Sequence, residues 1–310
     1  MTAPLVLVTC RQMQVELPQH RQRIEELGYE VVAPDLGARQ QFTAAELLEY
    51  SSRLVGIIAG DDELDRSFFA GSDKLKTVIR WGIGMDSVDH EAARQHGVTV
   101  RNTPGVFGQE VADSAFGYIL NLARGYVEVD SAVRRGEWPK WEGFTLAGTR
   151  LGIVGFGAIG REIAKRGQGF DMDVVAYDPF VDTNPSSVPI VDLETLMRTS
   201  RFVVLACPLT PDTAHLINAD TLGWVRPDAY LVNVARGPVV RETALIDALA
   251  NQRLAGAALD VFEVEPLPLD SPLRSLPNVV LGAHNGSNTR QGVARASAAA
   301  VDFLIEELSK

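Results

Sequence analysis

The sequence predicts an α/β fold built on parallel sheets, and three observations carry that prediction. Short β-branched runs alternate with helix-periodic stretches along the chain. The alternation runs twice, over residues 5–100 and again from Arg150 onward, with a turn at Asn102-Thr103-Pro104-Gly105 and a long helical stretch between. The second run opens on a glycine fingerprint, Gly155-Phe156-Gly157-Ala158-Ile159-Gly160, set between a strand and a helix. At 310 residues, the chain has room for two units of the usual ~100–200 residues.

In the first run, residues 5–8, 31–32, 55–59, 77–79 and 98–100 have the character of strands, and 18–27, 44–52 and 88–96 that of the helices between them. Past the 102–105 turn, 109–124 reads as a long helix continued by 127–135, and a loop with Trp138, Pro139 and Trp141 leads to Thr149. The second run has strands at 151–154, 174–177, 202–205, 230–234, 257–259 and 279–281, with helices at 159–169, 193–199 and 243–250. A last helix, 289–308, carries alanines at close-packing positions. There is no internal repeat and no low-complexity tract.

Hydrophobic residues make up 46% and charged residues 22%, as in an ordinary globular chain with a substantial core. The net charge of −11 argues against nucleic acid, whose binding depends on Lys and Arg neutralising phosphates. An anionic ligand must then be drawn by local positive groups. Cys10 and Cys207 are the only cysteines, so neither a disulfide framework nor a CxxC site is implied, and a reducing cytoplasm is expected. The apolar start of the chain is too short for a signal h-region and lacks a basic flank. No segment approaches the ~20 apolar residues of a membrane span, so no membrane partner is expected.

The fingerprint has the context that gives it meaning. Gly155 permits the tight strand-to-helix turn, Gly157 lets the backbone approach a pyrophosphate, and Gly160 lets the helix pack close to the strand. The helix start offers free N–H groups and a positive dipole to phosphates. Asp178 ends the next strand, near the expected offset of roughly 20 residues. A carboxylate there accepts from both ribose hydroxyls and repels a 2′-phosphate, so NAD is expected over NADP. Read alone, Asp178 could be no more than the start of the Asp178-Pro179 turn.

Three further residues suggest chemistry. Arg236 follows strand 230–234 and precedes Gly237-Pro238; its planar fork suits a carboxylate. Glu265 follows strand 257–259, in the run ending at Pro266. His284 follows strand 279–281 and, of the five histidines (His20, His90, His96, His215, His284), is the one at such a strand end after a glycine. Singly, each is a common loop residue. The reading rests on all three following strands of the sheet that binds the dinucleotide, where ligands of open α/β sheets bind. An arginine to hold a carboxylate and polarise a carbonyl, a histidine to pass a proton and a glutamate to orient it describe interconversion of a 2-hydroxy acid and a 2-oxo acid. A carboxylate beside an imidazole favours its protonated form, which suits reduction.

Other motifs carry less. His90-Glu91 begins like a zinc-protease helix but has Arg94 where the second histidine belongs, so no metal is expected. Cys207 before Pro208 reads as a small buried residue beside the cofactor, and the acidic run 61–65 as a solvated loop.

With the segments 80–89 (RWGIGMDSVD), 102–104 (NTP), 136–138 (GEW), 208–213 (PLTPDT), 232–237 (VNVARG), 258–266 (ALDVFEVEP) and 284–289 (HNGSNT) added to the fingerprint, the chain resembles the D-isomer-specific 2-hydroxyacid dehydrogenases, in the group that includes phosphoglycerate and hydroxypyruvate dehydrogenases. The resemblance implies two Rossmann-like or flavodoxin-like domains with parallel sheets. The NAD-binding domain, 101–284, would be inserted into a substrate-binding domain of 1–100 and 285–310. It implies a homodimer through the long helices of the cofactor domain, about 109–135. By position, Arg236, Glu265 and His284 match the catalytic arginine, glutamate and histidine. The backbone of Ile83 and Gly84, with Arg236, would bind the substrate. Ala158, Ile159, Asp178, Cys207, Pro208, Thr213, Val234, Ala235, Asp260, His284 and Gly286 would join the fingerprint glycines around NAD, with Asp260 near the carboxamide.

Two departures from the family pattern stand out. Ala158 replaces a basic or polar residue found in many relatives. Where phosphoglycerate dehydrogenases carry a basic segment, residues 59–63 read Ala-Gly-Asp-Asp-Glu, which argues for a small unphosphorylated substrate of the glyoxylate or hydroxypyruvate kind. The alternatives are 3-phosphoglycerate oxidation, phosphite or formate oxidation, and a dinucleotide-sensing corepressor-like protein.

Overall fold

The computed structural model describes residues 3–37, 39–181 and 187–310. The chain divides into two compact units, Met1–Phe107 with Ser287–Lys310, and Gly108–Gly286.

The first unit runs β1 (Leu5–Val8), α1 (Arg11–Glu25), β2 (Glu30–Val32), α2 (Ala44–Leu48), β3 (Leu54–Ala59), α3 (Arg66–Ala70), β4 (Thr77–Arg80), α4 (His90–Gln95) and β5 (Thr99–Asn102). Its sheet has the order β2-β1-β3-β4-β5, with every neighbouring pair parallel. β1, β3 and β4 are buried along their whole length, which is why β1 and β3 appear in the sequence as apolar runs, while β4 buries Thr77 and Arg80 at its ends. Leu7, Ile57 and Val78 join Leu47, Phe68, Phe69 and Ala92 in one core. The chain's last helix packs against β3, β4 and α1. There a Cβ on Gly56 would stand 3.0 Å from Leu304 Cδ1, so the glycine in β3 sets how closely that helix approaches.

The second unit runs α5 (Gly108–Arg124), α6 (Tyr126–Arg134), β6 (Arg150–Val154), α7 (Ala158–Gly169), β7 (Asp173–Tyr177), α8 (Leu193–Thr199), β8 (Phe202–Leu205), α9 (Ala219–Leu222), β9 (Tyr230–Asn233), α10 (Glu242–Ala250), β10 (Gly256–Leu259) and β11 (Val279–Leu281). The last helix, α11 (Arg290–Leu308), belongs to the first unit. The six strands lie in the order β11-β10-β9-β8-β6-β7, all parallel. From β6 the chain moves to one side for β7 and then to the other for β8, so the crevice of a doubly wound sheet opens where β6 meets β8. α5 packs on α7 and reaches β9, β10 and β11. Leu196, Leu222, Leu245 and Leu249 fill a core with Val203, Leu231 and Ala257.

Three expectations need correction. The first helix starts at Arg11, and Pro18 lies inside it. Proline favours a first helical position, hence the expected start at 18. Here its ring is on the exposed side, so the backbone bond it removes faces water, while Met13, Leu17 and Ile24 are buried. The helix expected over 44–52 stops at Leu48, because the chain tightens into shorter turns, with Tyr50 N donating to Leu47 O at 3.1 Å and Ser51 N to Leu48 O at 3.1 Å. The acidic run 61–65 is no free solvated loop. Asp62 is 1% exposed and accepts from Thr9 Oγ1, from Phe42 N at 2.8 Å and from Gly60 N at 2.9 Å. Glu63 accepts from Ala44 N at 3.1 Å, and Asp65 caps α3. Asp61 pairs with the buried Arg80 guanidinium. Acids in a turn after a buried strand satisfy backbone N–H groups, a use that composition alone does not reveal.

Candidate active site

In the second unit, nearly every residue singled out by the sequence lies just beyond the carboxyl end of a parallel strand. Across the sheet these are His284 after β11, Asp260 and Glu265 after β10, Val234, Ala235 and Arg236 after β9, Cys207 and Pro208 after β8, the fingerprint after β6 and Asp178 after β7. Adjacent strands lie about 4.8 Å apart, so this edge runs for roughly 24 Å.

The glycine loop is shaped by contacts that exclude side chains at two positions and leave room at a third. Gly155 has φ 93°, and a Cβ there would meet Cys207 Cα at 2.6 Å. On Gly160 a Cβ would stand 2.1 Å from Gly155 O. Gly157 has ordinary extended geometry, and a Cβ there would meet nothing within 4 Å. The protein itself does not require that glycine, so the space beside it suits a pyrophosphate against the backbone. Gly157 caps α7 without a side-chain bond, leaving the first-turn N–H groups, Ala158 and Ile159 among them, to an anion. The dinucleotide implied by the fingerprint therefore fits this cradle.

Asp178 reaches back over the loop: Oδ2 accepts from Phe156 N at 2.8 Å and Oδ1 from Phe180 N at 3.0 Å. Cys207 is buried, and burial pushes its thiol up to about 11, with the Asp178 charge adding to the effect. It is a thiol packed against the loop, not a nucleophile. Thr213 spends its hydroxyl within its own turn, donating to Pro208 O at 2.7 Å and accepting from Thr210 N at 2.7 Å.

Arg236 is partly buried on a turn braced by Asn233, a residue that the sequence reading passed over. Asn233 Oδ1 accepts from Ala235 N at 3.0 Å, and Nδ2 donates to Arg236 O at 3.0 Å. Next to Arg236, a Cβ on Gly237 would stand 1.8 Å from Phe262 O, so this turn lies directly on the segment leading to Glu265. Glu265 and His284 meet: His284 Nδ1 lies 2.8 Å from Glu265 Oε2. Glu265 Oε1 accepts from Phe262 N at 2.9 Å, which fixes the carboxylate. The side chains of His284 and Glu265 are 33% and 25% exposed, so the pair is accessible to a small ligand without being fully hydrated. Asp260 is 3% exposed, and its carboxylate accepts from Asn285 N at 3.1 Å, Gly286 N at 2.8 Å and Tyr118 Oη at 2.8 Å. The family resemblance implies a place for Asp260 near the carboxamide, and its hold on this loop is a contact that local sequence does not signal.

In the first unit, Ile83 and Gly84 follow β4 in a loop tied at Gly82, whose N donates to Thr103 Oγ1 at 2.9 Å, and at Ile83 O, which accepts from Asn102 Nδ2 at 2.7 Å. Among the described residues, nothing accepts from the N–H groups of Ile83 and Gly84. A Cβ on Gly82 would lie 2.8 Å from Arg80 NH1, so the guanidinium paired with Asp61 sits directly beside this loop.

Among the described residues, no cluster of His, Cys, Asp and Glu could hold a metal ion, and no helix is long and apolar enough to cross a membrane.

Residues 116–286 match the family model described as D-isomer specific 2-hydroxyacid dehydrogenase, NAD binding domain. The chain is 38% identical over 296 residues to a glyoxylate reductase of Thermococcus litoralis, an alignment covering 90% of this chain and 88% of the relative. It is 35% identical to a D-3-phosphoglycerate dehydrogenase of Methanocaldococcus jannaschii over 93% of this chain and 54% of that longer relative. Among solved structures, the TT0316 protein of Thermus thermophilus superposes with a TM-score of 0.88 at 36% identity, covering 98% of this chain and 97% of the other. Together with the dinucleotide cradle and the histidine–carboxylate pair on one sheet edge, these matches show that the chain belongs to the D-isomer-specific 2-hydroxyacid dehydrogenase family, as an NAD-dependent oxidoreductase interconverting 2-hydroxy and 2-oxo acids.

Proposed function

We propose that this enzyme reduces a small unphosphorylated 2-oxo acid, of the glyoxylate or hydroxypyruvate kind, to its D-2-hydroxy acid. The observation that carries the reading is the 2.8 Å contact of His284 Nδ1 with a Glu265 carboxylate already fixed by Phe262 N. Nδ1 is turned to Glu265, and the ring would deliver a proton from Nε2 to the carbonyl oxygen as it gains charge. Glu265 holds the imidazole's orientation and stabilises its positive form. Arg236 would bind the carboxylate and polarise the carbonyl, and in the first unit the N–H groups of Ile83 and Gly84 would serve as substrate donors. When bound, NADH supplies the hydride. Gly155, Gly157, Gly160, Ala158 and Ile159 would hold its pyrophosphate, and Asp178 its adenosine ribose. Cys207, Pro208, Thr213, Val234, Ala235, Asp260, His284 and Gly286 would line the remainder.

Two observations support the substrate class. A glyoxylate reductase stands among the relatives covered along most of their length. Within residues 59–63 no side chain is basic, and Arg80 beside the carboxylate loop is engaged by Asp61. The rival is 3-phosphoglycerate oxidation, which has its own relative. NADH consumption with glyoxylate, hydroxypyruvate, pyruvate, phenylpyruvate and phosphohydroxypyruvate decides between them. A higher kcat/KM for the phosphorylated acid would reverse the assignment. Absence of turnover with every oxo acid would favour a dinucleotide-sensing role.

A homodimer through the second unit accounts for the exposed Tyr126, Val127, Val133, Trp138 and Trp141 on and after α6. Light scattering at micromolar concentration would show twice the chain mass. Two free buried cysteines suit a reducing cytoplasm.

A further inference from the structure

Asp260 grips three consecutive residues. Its backbone carbonyl accepts from His284 N at 2.6 Å, and its carboxylate takes Asn285 N on Oδ1 at 3.1 Å and Gly286 N on Oδ2 at 2.8 Å. His284 has φ 50°, a left-handed conformation that a residue with a Cβ seldom adopts, so surrounding bonds must hold it there. The carboxylate has one further donor, Tyr118 Oη on α5, at 2.8 Å from Oδ1. Burial, and after it the Asp260 charge, push the phenol's pKa up, so Tyr118 remains a donor at any working pH. The pair is closely backed by Gly282, where a Cβ would lie 2.1 Å from Tyr118 Oη and 2.5 Å from Asp260 Oδ1. A carboxylate offers about four acceptor sites, and three are filled here by donors from α5 and the loop after β11.

We propose that Tyr118 is a positioning residue for the reaction: by fixing the Asp260 carboxylate that holds residues 284–286, it sets the direction of the His284 imidazole. The proposal rests on the proton-transfer role given to His284 above. Phenylalanine at 118 keeps the ring and removes only the donor. Oδ1 then keeps a single 3.1 Å bond to Asn285 N, the carboxylate gains freedom to rotate, and the loop carrying His284 loosens with it. A misplacement of about 1 Å can cost a reaction step about 10²-fold, whereas the cradle proposed for the pyrophosphate and Asp178 lie strands away from this loop and keep most of the dinucleotide contacts.

The test compares Tyr118→Phe, His284→Ala and the unaltered enzyme in oxo-acid reduction, with rates expressed per NADH-binding site counted by fluorescence titration. Tyr118→Phe is expected to lower kcat about tenfold. KM for the oxo acid and Kd for NADH should stay within about twofold, and the kinetic isotope effect on kcat with 4-deuterated NADH should rise as chemistry becomes limiting. A purely structural tyrosine would lower Tm and the number of binding sites but leave kcat per site and the isotope effect unchanged, and that result overturns the proposal. An inactive His284→Ala beside a fully active Tyr118→Phe removes the Tyr118 proposal alone. Normal turnover by His284→Ala removes the reading of the site, and this proposal with it.

Discussion

Replacing Asp178 with serine should exchange most of the expected preference for NADH over NADPH for near indifference. The carboxylate is held in place by Phe156 N at 2.8 Å and Phe180 N at 3.0 Å, so it cannot swing away from an incoming phosphate without breaking both bonds. Two like charges ~5 Å apart repel by ~3 kcal/mol at an effective dielectric of 20 and by under ~1 kcal/mol in water. Asp178 is half-buried, so a value of ~1–3 kcal/mol applies, or about 5- to 150-fold in the ratio of kcat/KM. Serine removes the charge and frees backbone N–H groups to face the 2′-phosphate. It also loses acceptor bonds to the NADH ribose, each worth ~1 kcal/mol, so KM for NADH should rise by about fivefold or more. kcat should hardly move, because Asp178 and His284 lie beyond opposite edge strands of the sheet. The assay is steady-state oxo-acid reduction with each cofactor at matched ionic strength. Equal kcat/KM for the two cofactors in the unaltered protein, or an unchanged ratio in the variant, would refute the reasoning.

The remaining predictions concern proton transfer, the substrate and the thiols. His284→Ala should lower kcat by about 10²–10⁴-fold while NADH still binds by fluorescence titration. Glu265→Gln should weaken reduction at neutral pH and move its optimum toward acid, since the imidazolium loses its counter-charge; a pH–rate profile identical to that of the unaltered enzyme would remove Glu265 from the relay. Glyoxylate or hydroxypyruvate should show a higher kcat/KM than phosphohydroxypyruvate. Asp61→Asn should narrow that gap by freeing Arg80, which initial rates on the three acids will measure. Burial raises the thiols of Cys10 to about 12 and Cys207 to about 11, so iodoacetamide at pH 8 should leave both unmodified in the folded protein, as read by intact mass. Their labelling rate should climb with pH toward those values while the fold holds, because only the thiolate reacts.

The parts of the site visible in the sequence are those whose chemistry is local. Gly155 and Gly160 are needed because neighbouring backbone leaves no room for a Cβ, and a strand followed by that glycine spacing signals the turn directly. Parallel strands buried on both faces announce themselves as unbroken apolar runs, so the sheet elements could be placed to within a few residues. Helix starts are harder: a proline such as Pro18 suits a first helical position, and nothing in the local pattern shows which side of the helix meets water.

The supporting bonds were invisible for a different reason. Tyr118 and Thr9 act through partners brought close only by the fold: Tyr118 and Asp260 are 142 positions apart, whereas Asn233 braces its own turn through Ala235 and Arg236, a local signal that the residue type alone does not single out. The same limit explains the misreading of residues 61–65. A run of carboxylates has the composition of a solvated loop, yet Asp62 is buried against Thr9, Phe42 N and Gly60 N, and its carboxyl lies above the usual range because burial outweighs those bonds. This alters the substrate argument. A phosphate near this segment would not meet a row of free carboxylates, since Asp62 faces inward and Asp61 is matched by Arg80. The proposed discrimination rests instead on a cation already committed: the guanidinium beside the Ile83–Gly84 loop is paired, and taking it from Asp61 would leave that half-exposed carboxylate to repel the phosphate that displaced it.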